Sequence, residues 1–372
     1  LRGAAVAWSY PPVGGTDGGA GYETFSLDEL SLAARNHAMP LEALRYDITP
    51  VGLHYVLIHY DIPAIDPVTW RLEVGGLVGK RLSLSLEEIR AMPAVTQVVT
   101  MECAGNGRAL THPRPRSQPW IDGAVGTARW TGVPLTHVLD RADVEPGAIE
   151  VVFSAWDRGF EASEPQNYER SLSLGEASAD HVLLAYEMNG EPLPPQHGYP
   201  LRLIVPGWYG MASVKWLHRI RIVSEPFDGH QQANAYRFRE SDDDPGVPVT
   251  LMRPRALMVP PGVPGFLPRS RYLRPGPTIL EGRAWSGGHA VARVEVSVDG
   301  GKTWMEASVD PPEDPFAWWT WSAKWEATPG EHVLCCRATD ASGATQPLDP
   351  AWNVGGYANN SVQRVRVLVQ AR

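Results

Sequence analysis

Apolar residues fall mostly in short runs broken by glycine, proline and polar clusters, a rhythm of strands and ordered loops rather than long helices. Residues 51–60 and 70–74 read as strands, the second followed by the Gly75-Gly76 turn. Residues 97–100, 149–154 and 201–206 carry the branched side chains of buried strands. Helical signals are brief. Ser26 with Glu29 forms a capping box ahead of Leu30, Ser85 is a cap for residues 86–89, and Pro134 sits in the first turn of a helix over 134–139. From about Pro277 the pattern changes to alternating strands at 279–285, 291–298, 304–309, 318–325, 332–339 and 362–369. The spacing predicts an immunoglobulin-like β-sandwich. The expected class is therefore α+β: an extended arm over 1–22, a mixed α+β domain over 23–244, and the sandwich over 245–372. The acidic, turn-forming stretch 240–246 marks the boundary.

Composition narrows the function classes. A chain of 372 residues is long for one core, so two domains are expected. Apolar content of 43% and charged content of 20% fit a globular protein. A formal charge of -9 argues against nucleic acid as a partner, but leaves room for a local cationic pocket holding a small anion. No apolar run reaches membrane-spanning length, so no membrane partner is expected. Of the 3 cysteines, Cys335 and Cys336 adjoin within a predicted strand and point to opposite faces, so neither a disulfide framework nor joint metal binding is expected. No basic segment followed by an apolar one opens the chain. Because it starts at Leu1, a removed leader would place the protein in the periplasm, and otherwise the cytoplasm is expected.

The third cysteine is different. Cys103 lies in Thr-Met-Glu-Cys-Ala-Gly-Asn-Gly-Arg, residues 100–108, where a strand opens into a turn of small residues. There a thiol can act as soft metal ligand or nucleophile, and Arg108 can hold an anion in a forked hydrogen bond. Taken alone, the stretch fits a buried structural cysteine equally well. Glycines around His197, Arg202, Gly207 and Lys215 could cradle a phosphate through backbone donors and charge. Residues 297–304 resemble the Asp-box hairpin of sialidase-type propellers, which would mean a carbohydrate-binding protein or glycosidase. Propellers repeat that hairpin, and one copy is present.

Cys-Ala-Gly-Asn-x-Arg resembles the molybdenum-ligating segment of the sulfite oxidase family. Further markers follow the family's order: Arg35-Asn36-His37, Trp120 ahead of residues 126–130, residues 185–190, 197–202 and 213–217. The resemblance runs from about Phe25 onward. It implies a molybdenum–molybdopterin cofactor and no haem, with Cys103 the metal ligand. The cofactor would be held by Arg35, Asn36, His37, Cys103, Asp157, His197, Arg202, Ser213, Val214 and Lys215. Arg35, Arg108, Trp120 and Tyr236 would form the substrate pocket beside Cys103. It further implies oxidation of sulfite to sulfate, an external electron acceptor (a cytochrome or oxygen), and a homodimer formed through the C-terminal domain. Within the family, a sulfane dehydrogenase acting on carrier-bound sulfur is the strongest rival. Plant-type nitrate reductases carry haem and flavin domains, and peptide methionine sulfoxide reductases lack the sandwich. One departure stands out: the animal-type segment Trp-Asn-x-Arg-Gly reads Trp352-Asn353-Val354-Gly355-Gly356 here, so a pocket cation is missing. Arg237 or Arg239 is the expected substitute.

Overall fold

The structure, a computed structural model, describes residues 25–371; the predicted arm over 1–22 lies outside the described residues. Helix α1 (Leu27–Arg35) starts at Ser26, whose side chain accepts from the Glu29 N–H while the Glu29 carboxylate accepts from the Ser26 N–H. The other helices are short: α2 (Leu86–Arg90), α3 (Leu135–Ala142), α4 (Leu174–Ala177) and α5 (His230–Ala233). Ser85 and Glu88 build a second capping box on α2. Pro134 precedes α3 as its N-cap rather than joining its first turn, because the preceding strand runs up to it.

Ten strands build the first half: β1 (Leu72–Gly76), β2 (Leu82–Leu84), β3 (Val95–Glu102), β4 (Val125–Pro134), β5 (Glu150–Glu161), β6 (Glu164–Ser173), β7 (Leu183–Met188), β8 (Glu191–Pro192), β9 (Arg202–Ile204) and β10 (Leu217–Val223). One sheet has the order β2-β1-β10-β5-β6, with only β1 and β10 parallel. The other has the order β3-β4-β7-β8, with β9 beside β7. Residues 51–60 do not form the predicted strand; a 3-10 turn at Val51–Leu53 leads into irregular backbone. The reason lies in its carbonyls. Those of Leu57 and His59 accept from Lys215 Nζ and Arg35 Nη2, and His37 Nε2 lies 3.0 Å from that of His54, so side chains occupy the positions a neighbouring strand would need.

The second half is built on two main sheets, and Val247–Pro248 at its start pairs with Arg237–Phe238. Arg255–Met258, Gly276–Trp285, Trp319–Ala327 and Ser308–Asp310 form one, while Val291–Ser297, Gly330–Asp340 and Gln363–Val369 lead the other. Leu280, Trp321 and Trp325 of the first share a buried core with Val294, Leu334, Cys336 and Val367 of the second. Cys335 and Cys336 are buried free thiols. The Asp-box-like stretch is the turn between Val291–Ser297 and Met305–Glu306, closed by Asp299 accepting from the Lys302 and Thr303 amides. It is a hairpin of this two-layer arrangement, and among the described residues no sheet repeats as propeller blades. No helix among the described residues is long and apolar enough to cross a membrane.

Candidate functional site

Strand alternation at the end of β3 sends neighbours in opposite directions. Glu102 turns toward the second half of the chain, where Arg255 donates to it at 2.8 Å and to Asp122 at 2.7 Å. Cys103 turns the other way, into a cavity it shares with His54, His197 and Arg202. The loop after it is clamped by Asn106, which donates to Glu102 and to the Asp122 carbonyl and accepts from the Ala124 N–H. Gly105 lets Arg108 fold back: a Cβ there would lie 2.5 Å from the Arg108 guanidinium. Burial pushes the Cys103 thiol up, and the Arg108 charge opposes that shift.

Cys103, Asp157, His197, Arg202, Ser213, Lys215 and Tyr236 all line this cavity. Arg202 is fixed by bonds to the His197 and Ser213 carbonyls at 2.9 and 3.1 Å and lies 4.7 Å over the Trp130 ring. Lys215 Nζ donates to the Leu57 and Gln196 carbonyls at 2.7 and 3.0 Å. Asp157 reaches in because β5 slips register between Ser154 and Arg158, a bulge that re-aims its side chain. Burial pushes Asp157 up and Lys215 down from their ordinary values. Val214 contributes backbone, its carbonyl accepting from the Leu203 N–H at 2.8 Å.

The remaining expected residues lie around the cavity rather than along it. Trp120 is buried in one apolar cluster with Cys103. Asn36 is a buried strut, donating to Gln118 at 2.9 Å and accepting from the Ile58 N–H at 2.7 Å. His37 is exposed, its Nε2 lying 3.0 Å from the His54 carbonyl. Arg35 is exposed as well, its guanidinium 3.1 Å from the His59 carbonyl. Arg108 is buried and donates to the Gly355 and Gln118 carbonyls. Arg237 is committed elsewhere, to the Pro245 and Gly246 carbonyls at 2.6 and 2.8 Å.

Sequence reasoning missed the cavity's other half. His54 and His59 both line it, out of a segment that reads as a strand. Burial lowers His54 to about 4 and His59 to about 3, and lowers His197 to about 2 with help from His54 and nearby cations. His59 Nε2 lies 2.6 Å from the Tyr236 hydroxyl, and its ring stacks on Tyr168. Tyr236 itself has φ 50°, a left-handed conformation rare for an aromatic residue and characteristic of functional positions. Arg170, on β6, lies 5.6 Å over the Tyr236 ring, and Tyr357 packs 5.1 Å from the same ring. A histidine inside an apolar run was the signal available for His54 and His59.

Several buried polar atoms here have no hydrogen-bond partner among the described residues: His54 Nε2, His197 Nε2, Arg202 Nε and Asp157 Oδ1. Such groups are costly unless something polar meets them. The donor set therefore fits a large polar group bearing its own hydrogen-bonding edges, as a pterin does. No three His, Cys, Asp or Glu side chains among the described residues converge to hold a metal on their own.

The chain matches the oxidoreductase molybdopterin binding domain over residues 59–231 and the Mo-co oxidoreductase dimerisation domain over residues 270–370. It is 36% identical to the sulfite oxidase of Gallus gallus over 337 residues, covering 85% of this chain and 72% of that protein. This chain belongs to the sulfite oxidase family. It is also 37% identical to the mitochondrial sulfite oxidase of Rattus norvegicus over 349 residues, covering 87% of this chain but 62% of that one, so it spans less than two thirds of that relative. Among solved structures, the sulfane dehydrogenase SoxCD from Paracoccus pantotrophus superposes with a TM-score of 0.77 at 28% identity, covering 90% of this chain and 86% of that one. In this sulfite oxidase family member the 59–231 match takes in the cavity-lining residues from His59 to Lys215, while Arg35, Asn36, His37 and Tyr236 fall outside it.

Proposed function

We propose that the chain is a molybdenum oxidoreductase that oxidises sulfite to sulfate and passes the electrons to an external acceptor, a cytochrome or oxygen. The observation that carries this reading is a cavity joining a buried cysteine, a tyrosine in left-handed conformation, and polar atoms of His54, His197 and Arg202 left without a partner among the described residues. Cys103 would give the metal its protein thiolate, and a metal bound there needs its other ligands from the cofactor. His197, Arg202, Ser213, Val214, Lys215 and Asp157 would hold the pterin. When bound, the molybdenum cofactor supplies the oxygen-transfer and two-electron chemistry.

The chain's own residues do the rest. Arg108, without a carboxylate partner among the described residues, attracts a dianion toward Cys103, and Arg35 adds charge at the rim. Trp120 closes the wall behind Cys103 and helps exclude water. Tyr236 presents its hydroxyl with His59 as proton partner, so the pair can donate to a bound oxyanion and return the proton. The C-terminal half, taken as an immunoglobulin-like domain from about residue 245, would pair two copies, which follows the matched dimerisation domain. Light scattering at micromolar concentration should give twice the chain mass.

A second reading is oxidation of carrier-bound sulfane sulfur. It is favoured by the likeness to the sulfane dehydrogenase and by Gly355, which removes a cation expected for a small oxyanion. Steady-state assays of metal-replete protein with sulfite and with a protein-linked persulfide, each against cytochrome c and oxygen, separate the two. Turnover of persulfide with none of sulfite would overturn the first.

A further inference from the structure

Gly355 cannot simply regain an arginine. A Cβ at that position would lie 2.2 Å from the Tyr357 ring, and the Gly355 carbonyl already accepts from Arg108 Nε at 2.8 Å. Tyr357 thus occupies the space beside Gly355, and it packs against Tyr236 on the cavity wall. A guanidinium approaches the same tyrosine from β6. Arg170 is 2% exposed, and no carboxylate lies within ion-pair distance of it among the described residues. Its Nη1 donates to the Gln231 carbonyl, its Nε has no partner among the described residues, and its Cζ lies 5.6 Å over the Tyr236 ring. A buried cation left without a counter-ion is costly to the fold, so an arginine there calls for a reason. Tyr168 and Tyr236, two of its neighbours, face into the cavity.

We propose that Arg170 is the pocket's replacement cation: a positive charge set behind the Tyr236 and Tyr168 wall that supplies the anion attraction absent at Gly355. It acts through the wall rather than by touching substrate, which makes it a positioning and specificity residue. This inference rests on the reading that the substrate is an oxyanion. A charge acting across one side chain's thickness is worth about five- to fiftyfold in anion affinity at an intermediate effective dielectric.

The test uses cofactor-loaded protein, with inorganic sulfate as the probe. Sulfate dissociation constants from calorimetry, and sulfite KM and kcat, are measured for wild type, Arg170→Gln and Arg170→Lys, with circular dichroism and molybdenum content as controls. Arg170→Gln should weaken sulfate binding and raise sulfite KM by about five- to fiftyfold with a smaller change in kcat. Arg170→Lys, which keeps the charge, should stay within about threefold of wild type. If Arg170→Gln does not fold, the lysine variant decides: retained sulfate affinity supports the charge role, and a loss matching full removal of the site overturns it. Unchanged sulfate affinity in folded, loaded Arg170→Gln also overturns it. A wild type that binds no sulfate and does not oxidise sulfite defeats the oxyanion reading itself, and this inference with it.

Discussion

Glu102 and Cys103 are adjacent in sequence yet head two buried regions of opposite design. Behind Glu102, charges answer each other: Arg255 bonds Glu102, Asp122 and the Asn359 carbonyl, and Trp285 Nε1 donates to Glu102 at 2.9 Å. Ahead of Cys103, one polar atom each of the cavity-lining residues His54, His197, Arg202 and Asp157 has no partner among the described residues. The first arrangement ties strand β3 to the strand Arg255–Met258 and so fixes where the cysteine points. The second leaves hydrogen-bonding capacity that a ligand or ordered water can complete. A closed ionic knot positions, and an open polar cavity receives.

Breaking the receiving side should cost the most activity. Cys103→Ser is expected to abolish sulfite turnover while much of the pterin remains bound, because the proposed pterin contacts are spread over His197, Arg202, Lys215 and their neighbours, which line the same cavity. Pterin fluorescence after denaturation and metal content check the loading. Normal turnover by a loaded variant would show that Cys103 is not the ligand.

Breaking the positioning side should cost stability first. Arg255→Met strands two buried carboxylates, whose pKa values burial already raises against the pull of Arg255. Removing one partner from a buried ion pair typically costs about 3–5 kcal/mol. Thermal unfolding should therefore shift several degrees downward, and an unchanged Tm would mean the knot holds nothing. Tyr236→Phe probes the receiving side more gently. The ring keeps its contacts with Tyr357 and Arg170 but the hydroxyl facing His59 is lost, so kcat should fall roughly tenfold or more with little change in cofactor content. Stopped-flow reoxidation of the metal should slow alongside, and equal rates would reduce Tyr236 to packing.

What could be read from sequence follows the same division. Residues whose role is local were legible: both serine caps formed as expected, and the Cys-Ala-Gly-Asn motif announced its loop because glycine and asparagine have few uses there. The alternation of valines from residue 291 onward placed the strands of the second half. Residues whose role depends on distant backbone were not. His59 looked like one more member of a strand, because nothing local shows that Lys215 and Arg35 would take its segment's carbonyls. Arg170 carries no signal of its own until β6 is set against Tyr236, and Tyr357 gains meaning only beside Gly355. Long strands such as β4 and β6 also escaped notice, since polar and glycine-containing strands lack a clean alternation.

The smallest expected effect concerns His59 and acid. Its folded value is lowered to about 3 from 6.5, mainly by burial and then by Lys215, Arg35 and Arg108. A base whose folded pKa lies below its unfolded one contributes stability above the unfolded value, which is lost as pH falls from about 6.5 toward 3. The loss approaches about 1.4 kcal/mol per pH unit per histidine, so roughly 2 kcal/mol by pH 5. His54 and His197 act with the same sign, while Asp157, raised by burial, opposes them by binding its proton more readily when folded. Comparing wild type with His59→Asn cancels those common contributions. The fall in Tm between pH 7.5 and pH 5 should be smaller in the variant, even if its Tm at pH 7.5 is lower. An equal fall in both would mean that His59 takes up a proton in the folded protein, with the Tyr236 hydroxyl acting as its acceptor instead of its donor.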